Sequence, residues 1–230
     1  ESDFKMRSMI IERFSESVLP EDTTLVDWPI SYYDLEPYYE KVEWELGVAG
    51  IAGNINGEIQ QGGNPFESPR KKGYPMPPLP RAGADKIFVE AARKLGYHPF
   101  PTPTGIATVD YKGRSACTNC GFCHGYHCHV GAKLSTHELV SAASKETDNL
   151  EVREYARVFK INRYSSGHVK GVSYYDFEGN VVEITADIVV LSCYALENAR
   201  LLLVSGINEN GQVGKHLSIH NYGWFTGIMP

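Results

Sequence analysis

The chain has 230 residues, enough for one large domain or two small ones with a buried core. Its formal net charge of −6 argues against a nucleic-acid-binding protein, which would show a basic face. No apolar run reaches the roughly 18 residues that a membrane-spanning helix requires. The charged opening ESDFKMRSMIIERF, without an initiator Met, reads like the interior of a longer protein.

The first half of the chain predicts two helices separated by a long ordered excursion. Ser31 and Asp34 form a capping pattern, and Pro37 is expected to split the segment after this cap into a short turn and a helix over 37–46. Residues 47–80 are dense in Gly and Pro but too apolar for a free linker. A second helix begins at residue 83 and is closed by Gly96. The apolar faces predicted for the two helices are Leu35, Tyr38, Tyr39, Val42 and Leu46, and then Ile87, Phe88, Ala91, Ala92 and Leu95.

The second half predicts a helix within 132–149, three or four strands over 150–193 and a final helix over 195–206. Glu178-Gly179-Asn180 is typical of a hairpin turn. The run ADIVVLSC (186–193) is continuously apolar, as in a strand that is buried on both faces of a sheet. Small residues at the end of such a strand, followed by a helix, indicate either a nucleotide-binding crevice or a strand–helix unit that only packs. The stripe expected on the last helix is Leu196, Ala199, Leu202 and Leu203.

The cysteine-rich segment SACTNCGFCHGYHCHVGAKLST (115–136) has the spacing C-x2-C-x2-C-x4-C. A bacterial ferredoxin run is C-x2-C-x2-C-x3-C-P, which is close but not identical. Zinc could be held by cysteines alone or by cysteines with His124, His127 or His129. Disulfides and a metal-free loop are the other interpretations. The candidate metal ligands are Cys117, Cys120, Cys123 and Cys128.

No G-x-G-x-x-G, Walker A, H-E-x-x-H or G-x-S-x-G motif is present. From the residues alone the chain is therefore part of an α/β sheet with an irregular insertion that carries a cysteine-rich loop.

Three stretches together resemble the glucose–methanol–choline (GMC) family of flavoprotein oxidoreductases. They are WPISYYDLEPYYEKVEWELGVAG, the C-G-F-C-x4-C-x2-GAK-x-ST core and YALENARLLLVSGI. The last is similar to a family signature, from which Tyr194, Asn198 and Asn208 depart: Gly or Ser, Ser or Thr, and Gly are usual there. Within the family, the chain looks most like flavoprotein subunits of sugar and sugar-acid dehydrogenases of the gluconate 2-dehydrogenase type.

The resemblance implies a mixed α/β (α+β) fold: part of an FAD-binding Rossmann-like sheet plus a largely irregular Gly/Pro-rich insertion. It divides the chain into an insertion and substrate-side or lid segment (1–110), a cysteine-rich loop near the flavin (111–136) and the second part of the FAD-binding domain (137–230). The family's glycine fingerprint and catalytic histidine lie outside the matching region, so the isolated chain is expected to be an inactive internal fragment.

The resemblance also implies site residues. Ala156, Arg157 and Val158 would lie near the adenine end of FAD, and the residues Ser192, Cys193, Tyr194 and Ala195 would lie near its pyrophosphate and ribose. Glu197 is expected to act as a capping residue, since its charge would repel a pyrophosphate. His216 and His220 are expected to be structural or to support the site indirectly. Some relatives carry an iron–sulfur cluster on C-x5-C-x3-C, where this chain has C-x5-C-x4-C, and others keep the loop without a cluster.

The implied function is oxidation of a CH–OH group of a sugar, sugar acid or other alcohol by hydride transfer to FAD. The alternative is a non-catalytic metal-binding or iron–sulfur electron-transfer module. Implied partners are the remaining N- and C-terminal parts of the GMC chain, a small subunit and a cytochrome c subunit. The compartment stays open: periplasmic and membrane-associated through partners if the dehydrogenase resemblance holds, and otherwise cytoplasmic.

Overall fold

The computed structural model describes residues 3–123, 125–219, 223 and 227. The chain folds as two compact units, residues 1–150 and 151–230. Helices and small antiparallel sheets occur together, so the predicted mixed α/β class is confirmed. The division by role into 1–110, 111–136 and 137–230 follows other boundaries and stays a prediction. Among the helices described, none has the length and apolarity that crossing a membrane requires.

The regular structure of the first unit is helical except for one short hairpin. Its described elements are α1 (Met6–Phe14), a 3₁₀ turn (Glu16–Val18), α2 (Tyr32–Leu46), β1 (Asn54–Ile55), β2 (Glu58–Ile59), α3 (Gly83–Lys94) and α4 (Thr136–Glu146). β1 and β2 pair antiparallel, with Asn54 opposite Ile59. The excursion over 47–80 is therefore ordered around a hairpin, as its apolar content predicted.

α2 is one continuous helix. The N–H and the hydroxyl of Ser31 both donate to Asp34 Oδ2, at 2.8 and 2.7 Å, so the predicted cap is confirmed. The predicted break at Pro37 is wrong, because the helix runs through it to Leu46. Proline removes only the one hydrogen bond that residue 37 would donate to the preceding turn. The Ser31–Asp34 cap before Pro37 and the ion pairs of Glu40 and Glu43 after it hold that turn in place.

The face of α2 that packs against the rest of the first unit is acidic. Glu36, Glu40 and Glu43 recur at helical spacing, and Glu36 is buried. The N–H of Lys71 donates to Glu36 at 3.0 Å, and the ammonium of Lys72 lies 3.1 Å from Glu40. Because the facing loop is basic, carboxylates and not apolar side chains are drawn inward. The predicted apolar face is mostly exposed as a result, with Tyr38 66% and Val42 50% exposed.

Arg70 is the centre of this polar contact. Only 5% of its side chain is exposed, and its guanidinium pairs closely with Glu43 and lies 3.4 Å from Glu67. Its Nε donates to the carbonyl of Lys72 at 2.7 Å, and its planar head lies 4.1 Å from the ring centroid of Tyr74. Burial raises the pKa of Glu43, and it raises the pKa of Tyr74 to about 12. A buried charge cluster thus replaces apolar packing at this contact.

α3 ends as the sequence predicts. The N–H of Gly96 donates to Arg93 and that of Tyr97 to Ala92, both at 3.0 Å, and Gly96 has φ 80°, the geometry of a Schellman cap. Its apolar face is only partly covered. Val89 and Ala92 are buried, whereas Ile87, Phe88 and Leu95 are 54%, 65% and 75% exposed. The exposed Phe88 and Leu95 line an open apolar cleft of about 750 Å³.

The second unit is a three-stranded antiparallel sheet with one helix. Its described elements are β3 (Arg157–Arg163), β4 (Val169–Tyr175), β5 (Val181–Thr185) and α5 (Ala195–Val204), with strand order β3-β4-β5. The N–H of Asp176 donates to Asn180 at 3.0 Å, which closes the hairpin predicted around Gly179. Helix α5 packs on β3, and the residues that follow α5 contact the second half of β3: Ser205 Oγ accepts from the N–H of Ile161, and Arg163 donates to the carbonyl of Gly206, both at 2.8 Å.

The predicted strand 186–193 does not form. After Thr185 the ladder extends by one hydrogen bond, from the N–H of Ala186 to the carbonyl of Lys170 in β4 at 3.0 Å. Residues 187–193 are not in a strand, and Ile188 and Val190 are 80% and 79% exposed. A strand buried on both faces needs neighbours on both edges and layers above and below it, and the described part of this unit supplies neither. The predicted stripe on α5 is also wrong in part. Leu201 is the buried residue, while Leu196 and Leu203 are about half exposed.

Candidate functional site

The two segments predicted to contact FAD begin at the same end of the second unit. Arg157 opens β3, and Glu197 lies in the first turn of α5. The pKa of Glu197 is lowered, first by a hydrogen bond from Arg200 and also by the positive charge of Arg157. The ends of β3 and α5 meet at Arg163 and Gly206, and at their starts the charge of Arg157 acts on Glu197. The structure therefore brings Arg157 to the end of α5 where the 192–195 turn enters.

The short turn before α5 is organised by one side chain. Asn198 Oδ1 accepts from the N–H of Cys193 at 2.8 Å, and Asn198 Nδ2 donates to the carbonyl of Leu191 at 3.3 Å. The N–H of Asn198 also donates to the carbonyl of Tyr194 at 2.9 Å, the first hydrogen bond of the helix. The site prediction did not include Asn198. Its signal was the departure from the family signature at that position.

Tyr194, at the centre of this turn, has φ 78° and ψ 151°. Its side chain points largely into solvent, with 67% of the residue exposed. Ser192, Cys193 and Ala195, the other three predicted contact residues, are exposed as well. The turn thus presents small side chains and one large ring at the beginning of α5.

The geometry fits an anionic ligand group such as a pyrophosphate. The first three amides of α5 belong to Ala195, Leu196 and Glu197, and no helical carbonyl precedes them to accept their hydrogen bonds. The carboxylate of Glu197 receives Arg200 Nε at 2.7 Å, so its negative charge is compensated locally. The repulsion expected between Glu197 and a pyrophosphate is therefore reduced.

The segment 156–158 offers an edge of backbone. Arg157 pairs with Tyr175 and Val158 with Tyr174 across the ladder to β4. β3 is the edge strand of the sheet, so its outer backbone groups face away from β4. Arg157 is exposed and its guanidinium carbon lies 5.5 Å from the ring centroid of Tyr175, while Ala156 is half-buried. The hydrogen bonds to β4 occupy the backbone groups on one edge of this segment, and those on its other edge are left for a ligand.

The cysteine loop belongs to the first unit and closes over a small core. That core consists of Ala49, Met76, Ala107, Cys128 and Ala132, with Cys117 and Cys123 packed against it. The N–H of Cys117 donates to the carbonyl of Ala107 at 2.8 Å, and the Lys133 ammonium donates to the carbonyls of Cys123 and Tyr126, both at 3.1 Å.

The thiols in the loop differ in their surroundings. Backbone N–H groups of residues 130–133, that of Lys133 foremost, lower the pKa of the buried Cys128 thiol. Cys120 is half-buried, with its sulfur 3.9 Å from His129 Nδ1. All five cysteines of the chain are free thiols.

The described cysteines do not form a ligand set. Within residues 3–123 and 125–219, no three side chains of His, Cys, Asp or Glu are placed to hold one metal ion. A metal ion or cluster on Cys117, Cys120, Cys123 and Cys128 therefore stays a prediction, and His124, a further candidate zinc ligand, lies outside the described residues.

The two candidate histidines lie after α5. His216 is exposed, and its Nε2 lies 3.1 Å from Gln212 Oε1. His220 lies outside the described residues. The contact with Gln212 is compatible with the structural role that the sequence predicted for His216, and that role stays a prediction.

A comparison with known families decides the class of the protein. The profile of the GMC oxidoreductases matches residues 22–222. The chain belongs to the GMC oxidoreductase family. The GMC resemblance predicted from three sequence stretches is thereby confirmed. GMC oxidoreductases are FAD-dependent enzymes whose FAD-binding domain is Rossmann-like, so FAD is confirmed as the cofactor of the family.

Several characterised relatives are similar to this GMC chain. The gluconate 2-dehydrogenase flavoprotein of Pantoea cypripedii is 30% identical over 95% of the chain, which covers 38% of that protein. The 6'''-hydroxyparomomycin C oxidase of Streptomyces lividus is 34% identical over 78% of the chain, and the fructose dehydrogenase large subunit of Gluconobacter japonicus is 28% identical over 80%. The chain spans 31% and 32% of the latter two, so it corresponds to about a third of each relative.

Proposed function

We propose that this chain is the middle part of an FAD-dependent GMC dehydrogenase or oxidase that oxidises a CH–OH group of a sugar, sugar acid or other alcohol. The observation that carries the proposal is the family match over residues 22–222. It is supported by the position of Arg157, at the start of β3, whose charge acts on Glu197 in the first turn of α5. These two elements correspond to the segments that the sequence assigned to the two ends of the adenosine diphosphate part of FAD.

Each of the two elements has a separate role in this proposal. The free amides at the start of α5 bind the pyrophosphate, and Asn198 fixes the turn that leads into them. The outer edge of β3 at Ala156–Val158 orients the adenine through backbone groups. Arg157 adds a positive charge beside the pyrophosphate. The flavin of bound FAD accepts the hydride from the substrate carbon.

The remaining functions belong to the parts of the protein that this chain does not span. We assign the glycine fingerprint and the catalytic base to those parts. The names of the relatives include two dehydrogenases and one oxidase, so this proposal covers both kinds of electron acceptor. One relative is named a large subunit, which supports a small subunit as a partner of a dehydrogenase form. A cytochrome c subunit as electron acceptor stays part of the proposal.

The alternative function, a metal-binding or electron-transfer module, is not favoured. The family match extends far beyond the cysteine loop, and the described thiols do not converge. The measurement is the content of iron, zinc and acid-labile sulfide in chain purified without oxygen. We expect well under one metal ion per chain. Three or four irons with equimolar sulfide would show that the loop rearranges around a cluster.

A substitution at the first residue of α5 tests the proposed flavin site. Ala195→Asp places a carboxylate at the N-terminus of α5, where it favours the helix dipole but repels a pyrophosphate. In the full-length protein we expect FAD affinity to fall at least about tenfold while the melting temperature of the apoprotein is unchanged or higher. Ala195→Asn is the matched neutral control and should keep FAD.

Equal FAD affinity in the Asp and Asn variants would refute the assignment of the pyrophosphate to α5. Anaerobic bleaching of the flavin absorbance by a panel of sugars, sugar acids and alcohols then tests the reaction. No bleaching by any CH–OH donor would contradict the proposed function itself.

A further inference from the structure

The turn at Tyr194 holds a backbone conformation that favours glycine. With φ 78° and ψ 151°, Tyr194 lies in a region of backbone space that a side chain normally excludes. The residues usual in the family at this position, Gly or Ser, are small. Tyrosine is among the bulkiest alternatives, so the conformation persists here only because neighbouring groups impose it.

Asn198 is the neighbouring group that imposes it. Its side-chain amide accepts from the N–H of Cys193 and donates to the carbonyl of Leu191, both on the N-terminal side of Tyr194. Its own N–H bonds the carbonyl of Tyr194. Three hydrogen bonds from one residue therefore span the positions before α5. The two departures from the family signature within this turn, Tyr194 and Asn198, are thus joined in space.

The exposed ring of Tyr194 contributes little to the stability of the folded chain. Because 67% of Tyr194 is exposed, burial of its ring does not offset the strained backbone. Strain that the fold itself does not use occurs mostly at binding sites. The ring stands immediately before the free amides of α5, where the proposed function places the pyrophosphate and ribose of FAD.

We propose that Tyr194 is an FAD-contact residue that Asn198 holds in its strained conformation, so that its ring packs against the adenosine diphosphate part of FAD. This inference rests on the proposed function for the identity of the ligand. The coupling between Tyr194 and Asn198 does not rest on it.

A double-mutant cycle on the full-length protein without FAD tests the coupling. Tyr194→Gly is expected to raise the melting temperature by at least about 2 °C, because glycine adopts a positive φ without strain. Asn198→Ala is expected to lower it. When Asn198→Ala is combined with Tyr194→Gly, it should lower the melting temperature by less than half as much. Additive effects in the cycle, or a lower melting temperature for Tyr194→Gly, would overturn the coupling.

Tyr164→Gly is the matched control for the loss of a tyrosine. Tyr164 is 55% exposed in the same unit and is not among the residues with positive φ. Glycine there should lower the melting temperature, since it adds freedom to the unfolded chain and relieves no strain.

FAD affinity of the full-length protein tests the ring contact. Tyr194→Gly is expected to raise the dissociation constant for FAD about tenfold, whereas Tyr194→Phe should keep the wild-type value. If wild type and Tyr194→Gly bind FAD equally, the ring contact is refuted while the proposed function stands. A wild-type protein that binds no FAD would refute both.

Discussion

Removing the positive charge of Arg70 is the perturbation with the largest expected effect on the first unit. Arg70→Met keeps most of the side-chain volume but leaves Glu43 and Glu67 without their shared cation. About a fifth of each carboxylate side chain is exposed, 21% and 20%, so water replaces the guanidinium only in part. Two partly buried negative charges then face each other.

The magnitude follows from this burial. Breaking a buried ion pair by removing one partner costs about 3–5 kcal/mol, because the remaining charge is left uncompensated. The contact of the guanidinium with the Tyr74 ring, worth about 0.5–2 kcal/mol, is lost as well. We therefore expect a decrease of about 4 kcal/mol in the free energy of unfolding.

Urea unfolding followed by tryptophan fluorescence measures this decrease. Trp44 is a local probe, since its Nε1 donates to the carbonyl of Gly73 at 3.2 Å and the ammonium of Lys72 lies over its ring. With a urea m-value of about 2 kcal/mol/M, the midpoint should fall by about 2 M. A shift below about 0.3 M would refute the reasoning, because it would mean that the carboxylates are hydrated or protonated in the folded chain.

Acid pH should reverse part of the loss. Burial already raises the pKa of Glu43 above its ordinary value, and removal of Arg70 raises it further. The penalty from a carboxylate with a raised folded-state pKa is present above that pKa and disappears as pH falls through it. The Arg70→Met deficit relative to wild type should therefore shrink on the acid side of neutrality. Arg153→Met, which removes an exposed pair with Glu151, is the control and should leave the urea midpoint nearly unchanged.

Three further changes test other parts of the chain. Gly171→Ala should lower the free energy of unfolding by at least about 2 kcal/mol in urea, because φ is 149° and the new Cβ would overlap the carbonyl of Ile184. Hydrogen bonds from Ser135 lower the pKa of Glu138. Glu138 therefore stabilises the fold at neutral pH and loses this effect as pH falls through its folded-state pKa. Glu138→Gln should flatten the acid side of the profile of unfolding free energy against pH. Timed thiol labelling with mass spectrometry should modify the exposed Cys193 first and the buried Cys128 last, although the pKa of Cys128 is lowered.

Each of these has a result that contradicts it. Gly179→Ala, at φ 85° with open space around the new Cβ, isolates backbone strain, and an equal loss at both glycines would remove the role of the overlap. An unchanged acid slope in Glu138→Gln would mean that another carboxylate controls that slope. Early labelling of Cys128 would mean that the loop opens readily.

Local sequence signals predicted the ends of α2 and α3 and the hairpin turn well, whereas α1 (Met6–Phe14) was not predicted. The capping pair Ser31 and Asp34, the glycine that closes α3 and the turn at Gly179 all act within a few residues, so the information needed is present in the segment itself. Pro37 was misleading because the loss of one hydrogen bond is small beside the contacts that hold α2.

The sequence by itself determined the family, the mixed α/β class and the position of the turn before α5, because these depend on residue identity and spacing along the chain. Only the tertiary structure decided which face of each helix is covered. The inward carboxylates of α2 are drawn by a basic loop about thirty residues away, a pairing that periodicity cannot reveal. The hydrogen bonds of Asn198 around Tyr194 likewise depend on the turn before α5, since hydrogen bonds across a turn are set by backbone angles and not by composition.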